Sequence, residues 1–233
     1  MFGFYNKRGK RARQRLTVIA NLMELVSERY FPLAAFQLPD NMNEAWAEIT
    51  KEWPPELHTA VGTVQDGTLY MRPEIYNNLA SNNDYKFRAA VGSFIHELLH
   101  LSMRDDGSVN RRDMFTDIAE GEHQELYERI HLYFEEACIE LLTIYIMVND
   151  YGIERYWEEF ALSYVPAVMS LARYANEQPT NSVEFIKRML TTTDMYVLVE
   201  HAQSLEDWGT LIKLDDVLSH AEWIEEFCNV SSD

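Results

Sequence analysis

Cysteine, glycine and positive charge are all scarce in this chain. Only 2 of its 233 residues are cysteine, too few for a disulfide framework, so stability has to come from a hydrophobic core. Nine glycines and seven prolines exclude collagen-like repeats and Gly- or Pro-rich linkers. No apolar run reaches the roughly 20 residues that cross a bilayer. The stretch 16–26 comes nearest, but Asn21 and Glu24 interrupt it and no small-residue cleavage site follows. It reads as an amphipathic helix rather than a signal peptide or membrane span. Basic residues number 20 against 38 acidic ones, a net charge of −18, which would repel phosphate and excludes a general nucleic-acid binder. One region departs from this balance: Lys7, Arg8, Lys10, Arg11, Arg13 and Arg15 crowd the first fifteen residues. Residues 1–15 therefore form a basic arm that can meet nucleic acid or an anionic surface, dock on the acidic body, or fray. Cys138 and Cys228 fall in expected helices. With no signal sequence they are expected to be reduced thiols of a cytoplasmic protein.

What the chain does have is 47% apolar residues, enough to bury a substantial core. It also has the pentapeptide His96-Glu97-Leu98-Leu99-His100. On a helix, positions i and i+4 lie one turn apart on one face, so both imidazoles can grip one metal ion. The glutamate after the first histidine then reaches a water polarised by that ion. Phe87, Ala90, Val91, Phe94, Ile95, Leu98 and Leu99 recur at helical spacing, the stripe of an amphipathic helix on a core. Asn83 or Asp84 is the expected N-cap.

Residues 60–65 and 68–71 read as two short strands joined at an Asp66-Gly67 turn, followed by Pro73 and a short helix at 74–79. With a small sheet ahead of an HExxH helix, the sequence resembles the zincin metallopeptidases. That resemblance implies an α+β, mostly helical fold with a helical C-terminal lobe, a catalytic Zn2+, and a protein or peptide substrate. It also implies an edge strand that binds extended substrate by adding it to the sheet; residues 68–71 are the strand expected to do so. The expected organisation is one catalytic domain over 1–233 in two lobes, about 16–104 with the HExxH helix and about 113–233.

A third metal ligand has to come from elsewhere. The metzincin pattern HExxHxxGxxH is broken: Met103 stands at the turn glycine and Asp106 at the third histidine. Asp106 would be the ligand on a variant of that pattern, although without the glycine the chain turns back to the metal with difficulty. The gluzincin pattern is closer, with a glutamate from a later helix and an acid four residues on. Residues 123–149 read as the longest helix, with Leu126, Ile130, Phe134, Ala137, Leu141, Tyr145 and Val148 along one face. Glu136-Ala137-Cys138-Ile139-Glu140 within it is similar to the gluzincin ExxxD element, with Glu140 for aspartate. Glu136 is the expected ligand, with Glu135 and Glu120 as alternatives.

The resemblance implies a zinc-dependent metallopeptidase. His96, His100 and Glu136 would hold the ion, and Glu97 would act as general base and then protonate the leaving amine. Zincins also supply a His or Tyr to the oxyanion; His123, Tyr127, His131, Tyr133, His201 and His220 are available. The alternative is a zincin-fold binding or regulatory protein that takes metal without proteolysis. Beyond residue 150, helices are expected at 153–174 with a kink or restart at Pro166, and at 182–190, 194–204 and 214–227, with Asn181, Thr193 and Asp194 as caps.

Overall fold

The computed structural model describes residues 2–33, 35–51, 53, 60–65, 67–102, 134–159, 165–191, 201 and 221–229. The chain forms two compact units, Met1–Asp106 and Gly107–Asp233. The described elements are mostly helical, with one small antiparallel sheet.

The first unit begins with α1 (Phe2–Arg29), 28 residues long. The basic residues near the start thus lie on a helix continuous with 16–29. Lys and Arg are good helix formers, and the helix runs on through Gly9 despite that residue's cost of about 1 kcal/mol in a helix interior. Ile19, Leu22 and Val26 make its buried stripe, while Lys10, Arg11 and Arg13 stay exposed. Arg15 docks locally: its guanidinium lies 5.0 Å from the centre of the Tyr76 ring and donates to Asn77 Oδ1 at 3.3 Å. Helix α2 (Met42–Ile49) is capped by Asn41, whose side chain accepts from Glu44 N–H.

Strands β1 (Gly62–Gln65) and β2 (Thr68–Met71) pair antiparallel, Gly62 opposite Met71 and Gln65 opposite Thr68. Gly67 turns between them at φ 70°, a left-handed conformation that glycine adopts without steric cost. Alternation along β2 sends Leu69 and Met71 into the core with no exposed surface. Helix α3 (Pro73–Asn78) starts on a proline, whose missing N–H costs nothing in a first turn. Asn83 then caps α4 (Asp84–Ser102), its Oδ1 accepting from Lys86 N–H at 2.9 Å, one of the two caps expected. Ala90, Val91, Phe94, Ile95, Leu98, Leu99 and Leu101 of α4 are fully buried, against α1, α3 and β1. Phe87, assigned to the same stripe, is only half-buried.

The second unit is built around α5 (Glu136–Asn149). Every residue from Ala137 to Met147 except Glu140 is buried. The expected one-faced stripe is therefore replaced by burial on nearly all sides, the pattern of a central helix. The longest described helix is α1, not this one; residues 123–133 lie outside the described part. A short turn α6 (Tyr156–Glu159) packs on α5, as do α7 (Val165–Asn176), α8 (Ser182–Thr191) and α9 (Ala221–Cys228). Pro166 sits in the first turn of α7, so it restarts the helix rather than kinking it. Asn181 caps α8, accepting from Val183 N–H at 2.9 Å and Glu184 N–H at 3.2 Å. Asn149 ties α5 to α9 by donating to the Cys228 carbonyl at 3.1 Å. The helices expected at 194–204 and 214–227 lie largely outside the described residues, as do the caps Thr193 and Asp194.

Both cysteines are buried thiols, outside any disulfide. Burial pushes the Cys228 thiol up from 9.0 to about 12. The unfolded chain therefore loses this proton first. The stability that follows from the shift is intact below pH 9 and is lost as pH rises toward about 12. Native protein at pH 8 is expected to label at Cys228 with Ellman's reagent on the order of a hundredfold more slowly than guanidinium-unfolded protein, as read by reaction rate.

Candidate metal centre

The HExxH segment occupies the C-terminal half of α4 and lies on a true helix. One turn apart, the His96 and His100 rings have centroids 5.0 Å from each other and are inclined at 66°. Both are half-buried, at the margin of the stripe that fixes α4 to its neighbours. That packing holds their Cα positions, so little order remains to be imposed when a ligand binds.

Glu97, one residue on, points toward the sheet and is only 5% exposed. Its side chain lies directly over Gly62 of β1. A Cβ at position 62 would stand 2.6 Å from Glu97 Cγ and Cδ and 2.7 Å from Oε1, well inside van der Waals contact. Sequence reading did not single out Gly62. A glycine inside a strand was the available sign, since such a residue often marks a close approach of another group.

Glu136 opens α5, directly after a π-type turn at Phe134 and Glu135. Turns of this kind are frequent at functional sites. Glu136 and Glu140, one turn apart, are the half-buried acids of an otherwise buried surface. Ligand atoms of His96, His100 and Glu136 all lie within 4.8 Å of one another. Two imidazole nitrogens and a carboxylate oxygen make a donor set that can hold a metal ion and leave a coordination position open. No family model, curated protein or solved structure matches the chain. The functional reading therefore stands on these residues alone.

Among the described residues this is the one group of three such donors. Glu135, the neighbouring alternative, is half-buried and outside it. Glu120 and Asp106 lie outside the described residues. So do His123, Tyr127, His131, Tyr133 and His220 of the expected oxyanion set. His201 is described, in an aromatic nest of the second unit. Its Nδ1 is 2.6 Å from Tyr174 Oη, and its ring stacks on Phe134 at 6.3 Å and meets Phe185 edge-on at 5.5 Å.

The strand assignment needs correction. Residues 68–71 were expected to be the substrate-lining edge, but the outer side of β2 is occupied. Gln37 N–H donates to Gly67 O and Leu69 N–H donates to Gln37 O, both at 2.9 Å, and Met71 N–H points at Met42 Sδ at 3.2 Å. The strand beside Glu97 is β1 instead. Period-2 alternation marks both strands of a hairpin alike, so it cannot say which one faces a neighbouring helix.

Proposed function

We propose that the protein is a zinc-dependent metallopeptidase of gluzincin-like ligation. The observation that carries this reading is the grouping of His96, His100 and Glu136, with the buried carboxylate of Glu97 adjoining the first histidine. The two histidines and Glu136 hold the ion. When bound, zinc supplies Lewis acidity, lowering the pKa of a coordinated water toward about 7 and polarising a substrate carbonyl. Glu97 takes the proton of the attacking water as general base and returns it to the departing amine as general acid. A glutamate suits both steps because one carboxylate accepts and then donates the same proton. Glu140, one turn beyond Glu136, is the acid available to orient a ligand, by analogy with the acid of the gluzincin element.

Purified protein is expected to carry about one zinc per chain by elemental analysis. It is expected to cleave members of a mixed peptide library, with cleavage lost on chelation and restored by added zinc. Full zinc occupancy with no peptide cleaved would instead support a metal-binding protein without hydrolytic activity. Absence of zinc, with no effect of His96→Ala on metal content, would end both readings.

A further inference from the structure

We infer that Gly62 is a positioning residue for the Glu97 carboxylate, required for what its absent side chain leaves open. The inference rests on the metallopeptidase reading and extends it to a residue outside the HExxH segment. Two glycines of the hairpin make the contrast. Gly67 adopts φ 70° and has nothing within 4 Å of an added Cβ, so its backbone conformation is the reason for glycine. Gly62 is the reverse. It has no left-handed φ, yet an added Cβ would meet Glu97 Cγ, Cδ and Oε1 at 2.6–2.7 Å. Gly62 opens β1, and glycine in a strand is otherwise unfavourable, because it packs nothing and loses the most conformational freedom on folding.

The surroundings decide which partner yields when a methyl group is added. β1 is held by its register with β2 and by Arg72 N–H donating to Val61 O at 2.8 Å. β2 is in turn held on its far side by Gln37. The α4 backbone at Glu97 is fixed by the fully buried Phe94, Ile95, Leu98 and Leu99. Only the Glu97 side chain beyond Cβ can move. A methyl at 62 therefore displaces the carboxylate while leaving His96 and His100 in place. Misplacing a reacting group by about 1 Å costs on the order of a hundredfold in rate.

The test is Gly62→Ala in the wild-type and the Glu97→Ala backgrounds. In the wild-type background, zinc content is expected to be unchanged, kcat to fall on the order of a hundredfold, and KM to stay within about threefold. Thermal unfolding of the metal-free protein is expected to lose ~2–6 °C from the crowding. In the Glu97→Ala background that thermal loss is expected to vanish, because the methyl enters the space the carboxylate left. A kcat within about threefold of wild type, or an equal thermal loss in both backgrounds, would overturn the inference. If the wild-type protein cleaves no peptide, the metallopeptidase reading fails by itself. The thermal comparison on metal-free protein still decides whether residue 62 acts on Glu97.

Discussion

Glu97→Gln is expected to leave zinc bound and reduce kcat by on the order of 10²–10⁴. The amide has nearly the shape of the carboxylate, so it fits over Gly62, where the chain leaves room for the side chain. What it lacks is basicity: an amide cannot take a proton from water at neutral pH. The variant thus separates metal binding from chemistry, because neither histidine nor Glu136 is touched. Steady-state peptide hydrolysis and elemental zinc analysis check the two parts. Undiminished hydrolysis in a zinc-loaded variant would remove Glu97 from the mechanism.

Loss of metal is the second large effect expected. His96→Ala and His100→Ala each delete one of the donors grouped within 4.8 Å, and each is expected to weaken zinc binding by more than about a hundredfold. Changing groups that merely support ligands already costs about 10–100-fold. Glu136→Ala is expected to do the same and Glu135→Ala to leave affinity nearly unchanged, since Glu135 stands outside the group. The pair tests which of two adjacent acids at the start of α5 is the ligand. Thermal melts with and without zinc provide an independent readout. Zinc at a hundred times its dissociation constant stabilises the folded state by about 2.7 kcal/mol, and at the same zinc concentration that increment is expected to fall to about 0.4 kcal/mol or less in the two histidine variants. Equal zinc affinity in wild type and both histidine variants would show that the ion binds elsewhere.

Local features were legible in the residues because their causes are local. The cap at Asn83, the turn at Gly67 and the short helix after β2, read at 74–79 and found at Pro73–Asn78, each depend on a few neighbouring positions. The same holds for the i, i+4 placement of His96 and His100. What failed to read through was the set of partners. Apolar spacing over 123–149 suggested one packed face, yet the described part of α5 is buried nearly all round. Alternation in 68–71 marked a strand correctly but not that Gln37 occupies its outer side. Six basic residues in the first fifteen read as an arm that could meet nucleic acid, an anionic surface or the chain's own body, with nothing local to choose among them. Arg15 finds an aromatic ring and, 62 residues away in sequence, an amide.

By itself the sequence determined the metal chemistry on offer: two imidazoles at helical spacing, a carboxylate next to the first, and a later acid-rich helix to complete the set. Tertiary structure decided which acid joins the histidines, grouping Glu136 and not Glu135 with them, and which strand lies against Glu97. Neighbouring acids on a helix point about 100° apart, so a one-residue difference that composition and spacing treat as equal becomes decisive once the helix is fixed in the fold. Gly62 has the same origin. Its importance lies in a side chain it does not have and in a contact thirty-five residues away in the chain, which only packing could reveal.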